Sequence, residues 1–115
     1  MIKSYLQYLQ EGLKDTSEKE FDKLISKSKI VVVLFYSKSS KVSMLMIPVF
    51  EKVQKKYKNK AVFIKCNLDD FKGTRLHKEI KAIPAILIFS KKKVVSGVRG
   101  LISTEGLESF LDGVL

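Results

Sequence analysis

Apolar residues dominate three short runs, at residues 30–36, 61–67 and 83–89, and the first of these contains no polar alternation. Runs of this length that are rich in β-branched and aromatic residues predict strands buried on both faces. Pro84 must lie at the start of the third strand, because proline cannot donate to a β-ladder. Lysines at 91–93 then predict a turn, and residues 94–98 predict its hairpin partner.

Helical spacing appears between these runs. Ser17 with Glu20 three residues on predicts a capping box. A long helix is predicted from just after Ser40 to about Lys58, with a kink at Pro48. Ser103 can cap a last helix. The apolar positions of the long helix recur at three- and four-residue steps: Val42, Leu45, Met46, Val49, Phe50, Val53 and Tyr57.

Alternation of strands and helices predicts an α/β fold with a mixed sheet. We expect a parallel core, a C-terminal antiparallel hairpin and helices on both faces. A chain of 115 residues suits one domain, residues 1–115. Residues 1–14 are ambiguous, since they fit a helix (Ile2, Leu6, Leu9, Leu13) or a strand (Tyr5, Gln7, Leu9).

Composition excludes several classes of protein. No apolar stretch approaches the ~18 residues that span a membrane, and the N-terminus lacks the apolar core of a signal peptide, so we expect a cytoplasmic protein. The single cysteine, Cys66, cannot form an intramolecular disulfide or a multi-cysteine metal site. No metal-ligand spacing appears, and we expect neither a metal nor a cofactor.

The net charge of +10 comes from 22 lysines and arginines, of which Arg75 and Arg99 are the only arginines. Specific phosphate and base recognition favours arginine's planar fork. Lysine-driven nucleic-acid binding therefore remains a weaker alternative, and any such binding should be weak and salt-sensitive. A solvated surface is the favoured interpretation of the lysines near the end of the long helix and at 91–93.

From residue 30 onward the chain resembles a thioredoxin. Residues 33–37 resemble that family's central strand, and Pro48 matches the proline of its long helix. Residues 80–84 resemble the segment that leads into its cis-proline, which here is Pro84. Gly100 resembles the glycine that closes the family's substrate groove. Ser103 is at the position where the family's last helix begins. The resemblance implies a thioredoxin-like fold with a cis Ile83–Pro84 bond.

The chemistry departs from that family. Its two reactive cysteines should fall at Ser40 and Ser43, and its tryptophan before them at Ser39. Lys41 and Val42 occupy the positions of the family's glycine–proline pair, and Leu34 occupies the position of its buried aspartate. Thiol–disulfide exchange needs a thiolate and a resolving thiol, so these serines cannot perform it.

Other chemical interpretations are less favoured. A nucleophilic serine at 40 or 43 needs an adjacent base, and the only histidine, His77, lies in another predicted segment. Cys66 is expected to be a buried strand residue beside Val62 and Ile64. Asp69 and Asp70 are expected to cap the helix that follows them.

The sequence therefore predicts a redox-inactive binding or adaptor domain that recognises a polypeptide through the former substrate groove. The alternative is an oxidoreductase that acts through Cys66 alone, which exposure and acidity of Cys66 would favour. Lys41 and Arg99 should favour acidic partner segments. The predicted groove comprises Ser39, Ser40, Lys41, Val42, Ile83, Pro84, Arg99 and Gly100.

Overall fold

The central strand β1, Ile30–Tyr36, is buried from Val31 to Tyr36 in a computed structural model that describes residues 13–115. Side chains of a strand alternate between the two faces of its sheet. A strand with no exposed position therefore needs a covering layer on each face, as its unbroken apolar run predicts.

The sheet has the strand order β2-β1-β3-β4 among the described residues, with β2 at Val62–Asn67, β3 at Ala85–Ser90 and β4 at Lys93–Arg99. Strand β1 pairs parallel with β2 and antiparallel with β3, and β3 pairs antiparallel with β4. The mixed sheet with a C-terminal hairpin is confirmed.

The parallel part of the described sheet is one pair, because β3 starts at the end where β2 stops. Tyr36 is the partner of Asn67, the last residue of β2, and Phe35 is the partner of Ala85, the first residue of β3. Residues 68–84 hold a 3-10 turn and a five-residue helix. That helix is only about 8 Å long, too short to carry the chain back along a strand of about 20 Å.

Helices cover both faces of the sheet, as predicted. On one face Phe50 and Leu107 pack against Val32, Leu34 and Ile86 in a buried cluster. The helical segments are α1 (Glu18–Lys27), α2 (Lys41–Met44), α3 (Met46–Tyr57), the 3-10 turn (Leu68–Phe71), α4 (Arg75–Glu79) and α5 (Thr104–Val114).

The other face holds an aromatic cluster built around Phe21 of α1. Its ring packs edge-on against Phe35, Phe71 and Phe89, with centroid distances of 6.1, 6.1 and 5.4 Å. The predicted capping box places α1, since Ser17 Oγ accepts the Glu20 N–H at 3.2 Å and bonds Glu20 Oε1 at 3.1 Å.

The predicted long helix is divided at Leu45 into α2 and α3. Pro48 has no N–H for the carbonyl of Met44, and its ring crowds that carbonyl, so the helix breaks one turn before the proline. Two of the apolar residues at helical spacing, Val42 and Leu45, lie N-terminal to α3 and are 56% and 60% exposed. Met46, Phe50, Val53 and Tyr57 are buried as expected.

The chain enters the described fold beside β2. Leu13 packs against the cluster that contains Phe50, and Asp15 forms an isolated parallel bridge with Lys65. The helix and strand interpretations of residues 1–12 lie outside the described residues. Within residues 13–115, no helix combines the length and the apolar character that a bilayer crossing requires.

The predicted turn between β3 and β4 consists of Lys91 and Lys92, while Lys93 already belongs to β4. Ser90 and Lys93 are register partners, so the loop has two residues. Both have positive φ, 52° for Lys91 and 70° for Lys92. Two-residue hairpin turns of this conformation prefer asparagine and glycine, which tolerate positive φ better than lysine does.

Replacement of the turn by asparagine and glycine, Lys91→Asn with Lys92→Gly, should stabilise the fold. The lysine backbone leaves its preferred region at both positions, so we expect the free energy of unfolding to rise by about 1 kcal/mol. Urea unfolding at neutral pH measures it. An unchanged or lower stability would contradict this account of the turn.

Candidate functional site

Three loops meet at one end of the sheet because the strands that carry them are in register there. Phe35 of β1 is the partner of Ala85 of β3, and Ala85 is the partner of Arg99 of β4. The loops that follow β1, precede β3 and follow β4 therefore begin side by side. The predicted groove residues lie in these loops, in the first turn of α2 (Lys41 and Val42) and at the end of β4 (Arg99).

One hydrogen bond joins the loop after β4 to the loop before β3, and a second joins the loop after β4 to α3. The Gly100 N–H donates to the carbonyl of Pro84 at 2.7 Å, and the Ile102 N–H points to Met46 Sδ at 3.5 Å. Gly100 has φ of +82°, and nothing lies within 4 Å of the position where a Cβ would stand. The Ile83–Pro84 peptide bond is cis.

Ser40 and Ser43 act as structural hydroxyls in this loop. Ser40 is the N-cap of α2, where its Oγ accepts the Ser43 N–H at 3.2 Å. Ser43 is fully buried, and its Oγ accepts the Ser37 N–H at 3.0 Å. The Ser43 hydroxyl lies 3.0 Å from the carbonyls of both Ser37 and Ser40, to which it can donate.

This bonding leaves neither serine placed as a nucleophile. The Ser43 proton faces main-chain carbonyls, which cannot act as a general base. Within residues 13–115, no hydrogen bond joins His77 to either serine; the His77 N–H instead bonds Thr74 Oγ1 at 3.1 Å. No group of metal-ligating side chains occurs in that part of the chain.

A second polar network, which the sequence analysis did not identify, anchors the loop before α2. Ser37 Oγ donates to Asp69 Oδ2 at 2.8 Å and lies 2.6 Å from Ser39 Oγ. Asn67 Oδ1 accepts the N–H groups of Asp69, at 3.2 Å, and Lys38, at 3.4 Å. The network fixes the loop to the end of β2.

The expectation that Asp69 and Asp70 cap the following helix was wrong. Thr74 caps α4, with its Oγ1 accepting the His77 N–H. Asp69 instead lies in the 3-10 turn, which begins directly at the end of β2 and so faces the loop after β1. Strand pairing, which places these two loops together, is not visible in the local sequence.

Ile83 presents main-chain groups at this end of the sheet. Its side chain is half-buried against the aromatic cluster, whereas Pro84 is buried. Within the described residues, neither the N–H nor the C=O of Ile83 takes part in a hydrogen bond. Buried main-chain groups in proteins are almost always paired, so these two are available to solvent or to a bound chain.

The surface around Ile83 combines apolar and basic side chains. Val42 and Leu101 are 56% and 55% exposed. Lys41 and Arg99 are also exposed, one on the first turn of α2 and the other at the end of β4. Ser39 is exposed and Ser40 half-exposed beside them.

Two acidic side chains near the site, Asp69 and Asp15, have polar partners. Asp69 accepts from Ser37, as described above. Asp15 accepts a hydrogen bond from the Tyr36 hydroxyl and forms an ion pair with Lys38 at 3.2 Å. Asp70 of the 3-10 turn is exposed and forms no ion pair within residues 13–115, so the free charge at this end includes one carboxylate beside Lys41 and Arg99.

Cys66 is a buried free cysteine of β2. Its side chain is fully buried in the aromatic cluster, beside Ile64 and Val62 as predicted. Burial raises the pKa of the Cys66 thiol to about 12, with a smaller contribution from the charge of Asp15. A buried thiol with so high a pKa holds almost no thiolate at neutral pH, and the thiolate is the reactive form.

Comparison with known proteins gives consistent matches. A family model described as Thioredoxin matches residues 12–113. The chain is 33% identical over 81 residues to Thioredoxin-1 of Saccharomyces cerevisiae, covering 70% of this chain and 78% of that protein. It is 30% identical over 96 residues to the thioredoxin of Mycoplasmoides gallisepticum, covering 84% and 95%.

A solved structure of Plasmodium falciparum thioredoxin superposes with a TM-score of 0.75 at 26% identity, covering 87% of this chain and 96% of that one. A mutant thioredoxin from Halobacterium salinarum gives a TM-score of 0.73 at 20% identity, covering 88% of each chain. The thioredoxin-like fold that the sequence predicts is confirmed.

Removal of the buried hydroxyl by Ser43→Ala should destabilise the fold by about 1–3 kcal/mol, because the Ser37 N–H loses its buried acceptor. Ser26→Ala is the matched control: its exposed hydroxyl donates to the Asp22 carbonyl at 2.7 Å, and its removal should change stability by less than about 0.5 kcal/mol. Urea unfolding compares the two. Equal effects would contradict a structural role for Ser43.

Proposed function

The chain belongs to the thioredoxin family, and we propose that it is a polypeptide-binding domain without the family's thiol–disulfide exchange. Exchange requires a thiolate that attacks sulfur and a second thiol that resolves the mixed disulfide. Serines occupy both positions, and the hydroxyl of Ser43 is fully engaged with main-chain groups. The position that the family fills with a buried aspartate is Leu34, packed in the core.

The observation that carries the binding proposal is the free main chain of Ile83. An extended segment that lies antiparallel to it can accept from its N–H and donate to its C=O, which is strand addition. This recognition uses no sulfur. Loss of both cysteines therefore leaves the binding mode available.

The surroundings of Ile83 suggest the chemistry of the partner. Val42 and Leu101 offer apolar contact on the two sides, while Lys41 and Arg99 supply exposed positive charge. An extended segment with apolar and acidic side chains fits that surface best. We expect modest affinity, because ordering an extended peptide offsets much of the contact energy.

The alternative function through Cys66 loses its support from the burial and raised pKa of that thiol. It would require local opening of a cluster that includes Phe35 and Phe71, both fully buried.

In an insulin-reduction assay with thioredoxin reductase, the protein should give no turnover above a no-protein blank, since no accessible thiolate is present. An active thioredoxin serves as the positive control. Turnover that disappears in Cys66→Ser would contradict the proposal and restore the oxidoreductase function.

Gly100→Trp should abolish the binding of extended peptides, because the indole would project from a groove loop into space that is now open. Fluorescence anisotropy with labelled peptides that combine apolar and acidic residues measures the affinity. We expect wild type to bind these peptides more tightly than basic counterparts of the same length.

Gly73→Trp provides the matched control. Gly73 has φ of +85°, close to the +82° of Gly100, and both have open space at the Cβ position. Both substitutions therefore introduce the same kind of backbone strain, but Gly73 lies before α4 and outside the groove residues. If both variants fold and bind peptide as wild type does, the groove is not the binding site.

A further inference from the structure

The end of the sheet opposite the groove gathers lysines from three separate loops. Val31 is the partner of Val62, and Ile30 is the partner of Ser90, which in turn is the partner of Lys93. The loops that precede β1 and β2 and the β3–β4 turn therefore lie together. We call their exposed lysines the basic pole: Lys27, Lys29, Lys58, Lys60, Lys91, Lys92 and Lys93.

The basic pole lacks compensating charge of its own. Residues 27–29, 58–61 and 90–93 contain no aspartate or glutamate. Within residues 13–115, none of the seven lysines forms an ion pair, whereas the nearby Lys56 is bound to Glu108 at 2.5 Å. Lys92 and Lys93 also border a separate depression that is lined by the carboxylates of Glu18, Asp22 and Glu79.

A cleft of about 310 Å³ lies within the pole, between the loops before β1 and β2. Its polar side chains all carry hydrogen-bond donors, and no carboxylate lines it. Cationic and neutral donors together are what protein sites use to hold the oxygens of a phosphodiester. The residues lining the cleft are Ser28, Lys29, Ile30, Lys58, Asn59, Lys60, Ala61 and Val62.

The turn of the pole keeps lysines where the backbone disfavours them. Lys91 and Lys92 both have positive φ in a two-residue hairpin loop, where asparagine and glycine are preferred. Residues held in sparsely populated conformations occur disproportionately at functional sites. Lysine at these two positions of the turn is conformationally unfavourable, but it adds two positive charges to the basic pole.

We propose that the basic pole binds the phosphate backbone of a nucleic-acid duplex without reading its sequence. Lysine binds phosphate as a point charge, and the planar fork that reads bases or clamps carboxylates is absent, since Arg75 and Arg99 lie elsewhere. Such binding is weak, with a Kd of about 10⁻⁴ to 10⁻⁶ M at physiological salt.

The same surface is less suited to other anionic partners. Single-strand binding relies on aromatic side chains that stack bases, and none of the residues of the three loops is aromatic. Peripheral membrane binding relies on apolar side chains that enter the bilayer, and no large apolar residue of these loops is exposed. The sequence alone favoured a solvated surface for these lysines. Strand pairing brings them together at one end of the sheet, which favours phosphate binding.

Binding to a short labelled DNA duplex of mixed sequence, measured by anisotropy across a salt series, tests the proposal. In the variant Lys29→Gln, Lys58→Gln, Lys60→Gln, the slope of log K against log salt should fall by about one for each lysine removed. The matched control, Lys19→Gln, Lys72→Gln, Lys78→Gln, removes the same charge from exposed positions outside the pole and should leave most of the slope. Equal losses in the two variants would overturn the proposal.

The turn variant Lys91→Asn with Lys92→Gly separates binding from folding. It should fold at least as stably as wild type yet bind the duplex more weakly, with a slope smaller by about two. Unchanged duplex binding in this variant would overturn the role of the turn. Gly100→Trp, which alters the groove, should bind the duplex like wild type.

Competition identifies the class of partner. Unlabelled duplexes of unrelated sequence should displace the labelled duplex equally well. Tighter binding to the single strand, to phosphatidylserine vesicles or to polyglutamate than to duplex would overturn the proposal, as would absence of duplex binding at low salt.

Discussion

Burial of β1 on both faces is the constraint from which the rest of the fold follows. A strand with no exposed position from Val31 to Tyr36 requires a layer on each side. Phe50 and Leu107 cover one face, and Phe21 covers the other. Hydrogen bonding to β2 on one edge and β3 on the other then fixes which loops meet at each end of the sheet.

Serine hydroxyl groups hold the loop after β1 in place. The position of Ser43 is fully buried, and its Oγ satisfies the Ser37 N–H that would otherwise be unpaired. Removing an acceptor from a buried donor costs more than a hydrogen bond contributes. The polar links from Ser37 to Asp69 and from Asn67 to Lys38 hold the same loop from outside. The loop after β1 is therefore anchored to β2 and to the 3-10 turn as well as to its own main chain.

The strands and the helix caps could be predicted from the local sequence, because interactions between nearby residues determine them. The apolar runs gave three strands, and Ser17 and Ser103 cap the helices that they were expected to cap. The break at Leu45 was placed one turn too late, because a proline disrupts the carbonyl four residues before it. The partner of Asp69 and the gathering of the lysines depend on strand register, which joins residues more than 30 positions apart. The groove positions came from family resemblance, and periodicity alone would not have located them.

The two ends of the sheet are electrostatically separate, which bears on whether one protein can use both. From Ile30 to Tyr36 the strand spans about 20 Å, whereas charges are screened over about 8 Å at physiological ionic strength. The basic pole therefore contributes little to the potential at the groove, where Lys41 and Arg99 dominate. Occupation of one end should therefore leave the affinity at the other nearly unchanged, since screening removes most of the charge interaction between them.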